Sequence, residues 1–257
     1  MAISTGALPH GASRRHALNQ VTDERSFRRM TRRNLLKLSP VLLAGAFAIP
    51  RLRNPLLEAG LRFSDWASSK WFRRDHAAPT FADSKLTPMD LFPVNDYDVD
   101  DPEVDLDAWT LEVSGDIQRP GAYTLAQIQA LPRVRQNTRH ICVEGWDAIG
   151  RFGGARISDF LALVGANPGA KFLTVECADD YYESLELATA LHPQSLLCYE
   201  MYDRPLSREH GAPLRLSLPT KVGYKSAKYL TSLRVTDVLP ARRSYWGDQG
   251  YSWFYGL

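Results

Sequence analysis

From Trp109 to Val235 the sequence is cut into short apolar stretches with turn-forming residues between them, and this limits the folds open to it. Trp109–Gly115 alternates apolar and polar with a period of two, which fits a strand with one buried face, ended by glycine. Lys171–Cys177, Ser184–Leu187, Leu196–Tyr202, Leu214–Leu218 and Tyr229–Val235 are further strand candidates, and residues 134–143 read as extended. Turns such as Asp203-Arg204-Pro205 and His210-Gly211-Ala212-Pro213 separate them. Two short helices fit in between. Thr124-Leu125-Ala126-Gln127 spells a capping box, places Leu125, Ile128 and Leu131 on one side, and stops at Pro132. Ile157–Val164 is closed by Gly165. Many short strands with few helices predict an α+β domain that is mainly β.

The charge is divided unevenly along the 257 residues. Residues 1–78 carry 14 Lys+Arg against 5 Asp+Glu, and the remainder carries 17 against 24. An acidic body without a basic stripe argues against nucleic-acid binding, because phosphates must be neutralised by clustered Lys and Arg on the domain itself. The basic part reads as an address. Thr31-Arg32-Arg33-Asn34-Leu35-Leu36-Lys37 precedes an apolar run, Leu38–Ile49, that is short for a bilayer span and contains the small-residue triplet Ala46-Phe47-Ala48. Paired arginines in that setting predict a twin-arginine leader over 1–48 and a periplasmic destination. The alternative is a basic anchor helix followed by a core helix. Residues 49–91, broken by Pro79 and Pro88, read as a connector, and 92–257 as the domain.

The available chemistry narrows by exclusion. There is no Gly-x-Ser-x-Gly elbow, phosphate loop, dinucleotide fingerprint or Cys-x-x-Cys-His haem motif. The histidines at 10, 16, 76, 140, 192 and 210 form no zinc-type pair. Three cysteines, Cys142, Cys177 and Cys198, are too few for a disulfide framework. Asp179-Asp180 reads as a solvated turn. Arg139-His140-Ile141-Cys142 stands out, since neighbouring positive charge lowers a thiol pKa and a thiolate suits a soft metal. A buried core cysteine remains the alternative. In the same way, Arg215 reads either as a bidentate anion donor or as a solvated strand position, Tyr199 as a site residue or a core aromatic, and His210 as a ligand or a turn histidine.

Residues 92–257 resemble the molybdenum cofactor domain of the sulfite oxidase superfamily, including the exported methionine sulfoxide reductase branch. The resemblance implies an oxidoreductase doing two-electron oxygen-atom transfer, in which Cys142 is the single protein ligand of a molybdenum held by one molybdopterin. Leu197-Cys198-Tyr199-Glu200-Met201 through His210-Gly211-Ala212-Pro213-Leu214-Arg215 is similar to the family's longest signature. By that match His210 and Arg215 hold the pterin and its phosphate, and Tyr199 sits beside the metal with Arg139. Gly223-Tyr224-Lys225-Ser226-Ala227-Lys228 resembles the segment whose Ser226 and Lys228 hold the phosphate end. Asn95 and Tyr97 fall where the family touches the pterin from its other side, and Cys177 where the reductase branch has a pterin-contacting threonine.

Two departures from sulfite oxidase bear on substrate. Cys142 is followed by Val143-Glu144-Gly145-Trp146, which resembles the reductase branch, and Glu144 would repel sulfite if it faced the pocket. The family's immunoglobulin-like dimerisation domain is missing after Val238, so a monomer is expected. The resulting expectation is sulfoxide reduction, with electrons exchanged with a separate partner such as a membrane haem protein or cytochrome c. A sulfite dehydrogenase of the same fold and a cofactor-free exported binding module are the rivals.

Overall fold

The computed structural model describes residues 76–95 and 101–256, together with isolated positions between 55 and 70. The twin-arginine segment, the apolar run after it and Tyr97 lie outside the described residues. The chain divides after Gly60, and the fold described here belongs to the second unit, residues 61–257. From residue 76 on, the described residues form ten strands and four short α-helices. In chain order the strands are β1 (Thr110–Gly115), β2 (Gly121–Thr124), β3 (Arg133–Ile141), β4 (Asp147–Arg156), β5 (Phe172–Cys177), β6 (Tyr182–Glu186), β7 (Leu196–Met201), β8 (Arg204–Pro205), β9 (Arg215–Ser217) and β10 (Leu230–Thr236). The helices are α1 (Leu125–Gln129), α2 (Ile157–Val164), α3 (Leu187–Ala190) and α4 (Tyr245–Asp248).

The strands form two sheets. One has the order β2-β1-β10-β5-β6, and the other β3-β4-β7-β8 with β9 also paired to β7. Only β1 and β10 run parallel; all other pairs are antiparallel. Alternation along each strand decides what is buried. Leu111 and Val113 of β1, Leu173 and Val175 of β5, and Leu233 and Val235 of β10 join Phe160 and Leu161 of α2 in the larger core, which also takes Leu197, Leu214 and Leu216 from the second sheet. Each such side chain contributes about 1.5–3 kcal/mol by leaving water. Leu196 and Cys198 of β7, which alternate with Leu197 and Tyr199, form a smaller core with Phe92, Ala148, Phe152 and Leu206, and Met201 joins it beyond the register shift in the β4–β7 pairing. The two cores therefore lie on opposite faces of β7.

Local sequence accounts for the helix ends. At α1 the Thr124 hydroxyl accepts from the Gln127 N–H, and the Gln127 side chain accepts from the Thr124 N–H. Gly165 closes α2 with φ +66°, a left-handed conformation that glycine adopts without strain.

Residues 76–91, expected to be connector, are laid against the second sheet. Thr80 bridges to Thr138, the Phe81 N–H donates to the Asn137 carbonyl at 3.1 Å, and the Thr87 N–H donates to the Ile149 carbonyl at 2.9 Å. Among the described residues no helix is long and apolar enough to cross a membrane.

Candidate active site

Cys142 sits where β3 turns into β4. The Cys142 N–H donates to the Trp146 carbonyl at 2.9 Å and the Gly145 N–H to the Cys142 carbonyl at 3.2 Å, with Gly145 at φ +95°. This tight hairpin end places the thiol in a cleft of about 890 Å³, counting its open mouth. Phe92–Asn95, the His210–Arg215 loop, the turn around Ser226, the β5–β6 corner and the C-terminal residues Trp246 and Tyr251 supply its other walls. A concave site of this size suits a small-molecule cofactor.

Two cations, Arg215 and Lys228, stand in the cleft wall beside the carboxyl groups of Glu144, Asp179 and Glu209. Arg215 lies on β9 opposite Cys198, so it shares that face of the strand, while Leu214 and Leu216 enter the larger core. It is 6% exposed, and its guanidinium donates to the carbonyls of His210 at 3.0 Å, Ser226 at 3.3 Å and Leu216 at 3.3 Å. No carboxylate pairs with it among the described residues. Burial pushes its pKa down. Lys228 donates to the Glu209 carbonyl at 3.0 Å and stands 3.8 Å from Asp101 Oδ1. Burial, reinforced by the Arg215 charge, lowers His210 and brings His140 to about 3, so His140 is neutral at physiological pH. His140 stacks on Trp146 at 5.9 Å, and Phe92 stands edge-on to His210 at 5.7 Å.

Around the thiol the polar groups are Asn95 and Glu144. Asn95 Nδ2 donates to Cys142 Sγ at 3.5 Å and to Glu144 Oε2 at 3.2 Å, and Trp146 Nε1 donates to the same oxygen at 3.0 Å. The Cys142 thiol itself stands 3.7 Å from Glu144 Oε2. Burial pushes the thiol pKa up, and the Glu144 carboxylate adds to it. This corrects the expectation that Arg139 and His140 would favour a thiolate. His140 is neutral, and Arg139 pairs with Asp147 at 3.3 Å and covers the Phe81 ring at 5.6 Å, away from the cleft. A metal that binds the sulfur can displace the proton directly, so a low intrinsic pKa is not required.

Of the residues singled out in the sequence, Cys142, Asn95, His210, Arg215, Ser226 and Lys228 line this one cleft. Arg139, Tyr199 and Cys177 do not. Tyr199 falls on the larger-core face of β7, because strand alternation sets it opposite Cys198 and hence opposite Arg215. Cys177 ends β5 within the larger core, where burial holds its thiol well above the ordinary range. Sequence reasoning missed Tyr181. Its hydroxyl donates to the Tyr224 carbonyl at 2.7 Å and its ring lines the cleft. The signal was the Asp179-Asp180 turn, in which Asp180 takes φ +63° and Asp179 caps the Tyr181 N–H at 3.2 Å.

Two small sheets presenting one thiol, a buried guanidinium and a neutral His140 to a shared cleft suit a domain that binds an anionic small-molecule cofactor. The family described as oxidoreductase molybdopterin binding domain matches residues 98–246, and the chain belongs to it. It is a molybdopterin oxidoreductase domain of the sulfite oxidase superfamily, with the mainly β fold of that group. The chain is 46% identical over 197 residues to the putative protein-methionine-sulfoxide reductase subunit YedZ1 of Azospira oryzae, covering 76% of this chain and 74% of that one. It is 29% identical over 159 residues to the protein-methionine-sulfoxide reductase catalytic subunit MsrP of Xanthomonas campestris (56% of this chain, 49% of the relative). Mitochondrial sulfite oxidase of Drosophila melanogaster is 32% identical over 216 residues (73% and 37%). The matched stretch thus spans about half or less of the last two relatives. The sulfane dehydrogenase SoxCD of Paracoccus pantotrophus shares the fold, with a TM-score of 0.51 at 22% identity over 54% of this chain and 40% of that one.

Proposed function

We propose that the cleft holds molybdopterin with its metal on Cys142, and that the enzyme reduces sulfoxides after export to the periplasm by the twin-arginine route. The observation that carries the cofactor reading is Arg215. A cation kept out of water with only carbonyls around it costs free energy that an anion in the same cleft would repay, and a phosphate matches its planar fork. The donor set fits the group. Arg215, Lys228, His210 and Ser226 would hold its pterin and phosphate, and Cys142 would supply a soft ligand to its metal. When bound, the cofactor supplies two-electron oxygen-atom chemistry.

The chain's own residues do the rest. Asn95 orients both the sulfur and the Glu144 carboxylate, and Trp146 clamps that carboxylate from the other side. The Glu144 carboxyl group thus stands at the cleft beside the thiol, where it opposes a sulfite anion and leaves a neutral sulfoxide unopposed. The names of the Azospira and Xanthomonas relatives support the same substrate class. Electrons come from a separate partner, a membrane haem protein or cytochrome c. Steady-state assays of purified holoenzyme decide the substrate: methionine sulfoxide with a reduced dye, against sulfite with an artificial acceptor. The reading expects the larger kcat/KM for the sulfoxide, and a larger value for sulfite contradicts it.

A further inference from the structure

The turn that carries Ser226 is fixed by a buried ion pair that does not line the cleft. Glu183 of β6 and Lys225 have side chains 0% and 1% exposed and meet at 2.7 Å. Lys225 also donates to the Ser184 carbonyl at 3.3 Å and lies 5.4 Å from the Trp253 ring, while the Ser184 N–H donates to Glu183 Oε1 at 2.8 Å. Burial pushes the Glu183 pKa up to about 7, and Lys225 is what holds it from going further.

The neighbours of Lys225 are cleft contacts. Lys225 ends the single 3-10 turn Gly223–Lys225. The residue before it, Tyr224, accepts the Tyr181 hydroxyl on its carbonyl, and the residue after it, Ser226, accepts Arg215 Nη2 on its own. Ser226 Oγ accepts the Leu218 N–H at 3.2 Å. A shift of this turn would move both carbonyls together. Replacing a buried ion pair by apolar side chains of similar volume is often neutral or stabilising, so stability alone does not explain one here. What a pair adds is a single directed attachment point.

We propose that Glu183 and Lys225 are positioning residues of the cleft, holding the Gly223–Ser226 turn so that its carbonyls aim Arg215 and Tyr181 at the bound cofactor. The inference rests on the reading that the cleft binds molybdopterin. The test is the full chain carrying Glu183→Leu with Lys225→Met, compared with the parent in three measurements: melting temperature, pterin content after prolonged dialysis, and affinity of the cofactor-free protein for pyrophosphate. Melting is expected to stay within a few degrees of the parent, while pterin content and pyrophosphate affinity each fall at least about fivefold. Glu183→Gln, which keeps the side-chain shape, should move both binding measurements in the same direction if the double variant does not fold. Parental pterin content together with parental pyrophosphate affinity in a folded variant overturns the proposal. A parent that carries no pterin, in which the substitutions still weaken pyrophosphate binding, sinks the cofactor reading and supports the positioning role.

Discussion

Cys142, Asn95 and Glu144 form a contact triad in which each side chain constrains the other two, and its members can be separated by substitution. Cys142→Ser should abolish turnover while leaving the protein folded, because a hydroxyl is a harder and less acidic ligand and the cores lose only one sulfur. Circular dichroism and a standard turnover assay check both halves. Glu144→Gln removes the charge but keeps the acceptor oxygen. Glu144 is exposed, so solvent screens its charge and the interaction removed is about 1 kcal/mol; the kcat/KM for sulfite relative to methionine sulfoxide should therefore rise severalfold. No change in that ratio would mean that Glu144 does not select against the anion. Individual residues were legible in uneven measure. Cys142, His210, Arg215 and Lys228 could be picked out because polar groups of these types stand beside turns at the spacing of a known family. Tyr199 could not be placed, since alternation tells which residues share a face without telling which face meets the cleft. Tyr181 was hidden for the opposite reason: beside two aspartates it reads as part of a solvated turn.

At the scale of elements, sequence missed the short strands β2 and β8 and, most consequentially, β4, the partner of both β3 and β7. Gly150, Gly153 and Gly154 break its apolar pattern and make it read as loop. At Gly153 and Gly154 the absence of a side chain lets β7 approach, and at Gly150 it leaves room for the Phe92 and Phe152 rings. A Cβ at Gly154 would come within 2.1 Å of the Leu197 carbonyl oxygen, beside the register shift between Gly153 and Gly154. Gly154→Ala should therefore destabilise the fold by about 2–4 kcal/mol, read as a lower urea midpoint with an unchanged slope. The elements that were legible, α1, α2, β1, β5, β7 and β10, carry local signals: a capping box, a glycine stop, and period-two alternation. Residues 76–91 gave no such signal, because their backbone hydrogen bonds go to β3 and β4 and are invisible to local pattern. Their attachment includes Arg151, which pairs with Asp83 at 2.5 Å and Asp203 at 2.7 Å and holds both carboxyls below the ordinary value. A lowered carboxyl pKa contributes stability above the unfolded value that is lost as pH falls through the folded one. Melting temperature should thus drop between about pH 4 and pH 2 more steeply in the parent than in Arg151→Met. Parallel curves would remove this network from the acid response.

The whole sequence joins a basic N-terminal segment to an acidic redox domain, and the two halves make separable claims. If Arg32 and Arg33 are read as a pair by an export receptor, replacing both with Lys should retain the protein in the cytoplasm although the charge is unchanged; export at the parental level would refute the route. The fold class was legible from the many short strands, but the arrangement of two sheets around one cleft was not, because it depends on pairings between residues as distant in sequence as Val113 and Leu233. Molybdopterin on Cys142 is the claim on which the rest depends, and X-ray absorption at the molybdenum edge of the purified holoprotein tests it most directly. The account predicts molybdenum with sulfur ligands in the parent and one sulfur fewer in Cys142→Ser, with the pterin still bound through Arg215, His210 and Lys228. Identical sulfur coordination in the two proteins, or a parent isolated from its native host without molybdenum, would contradict it.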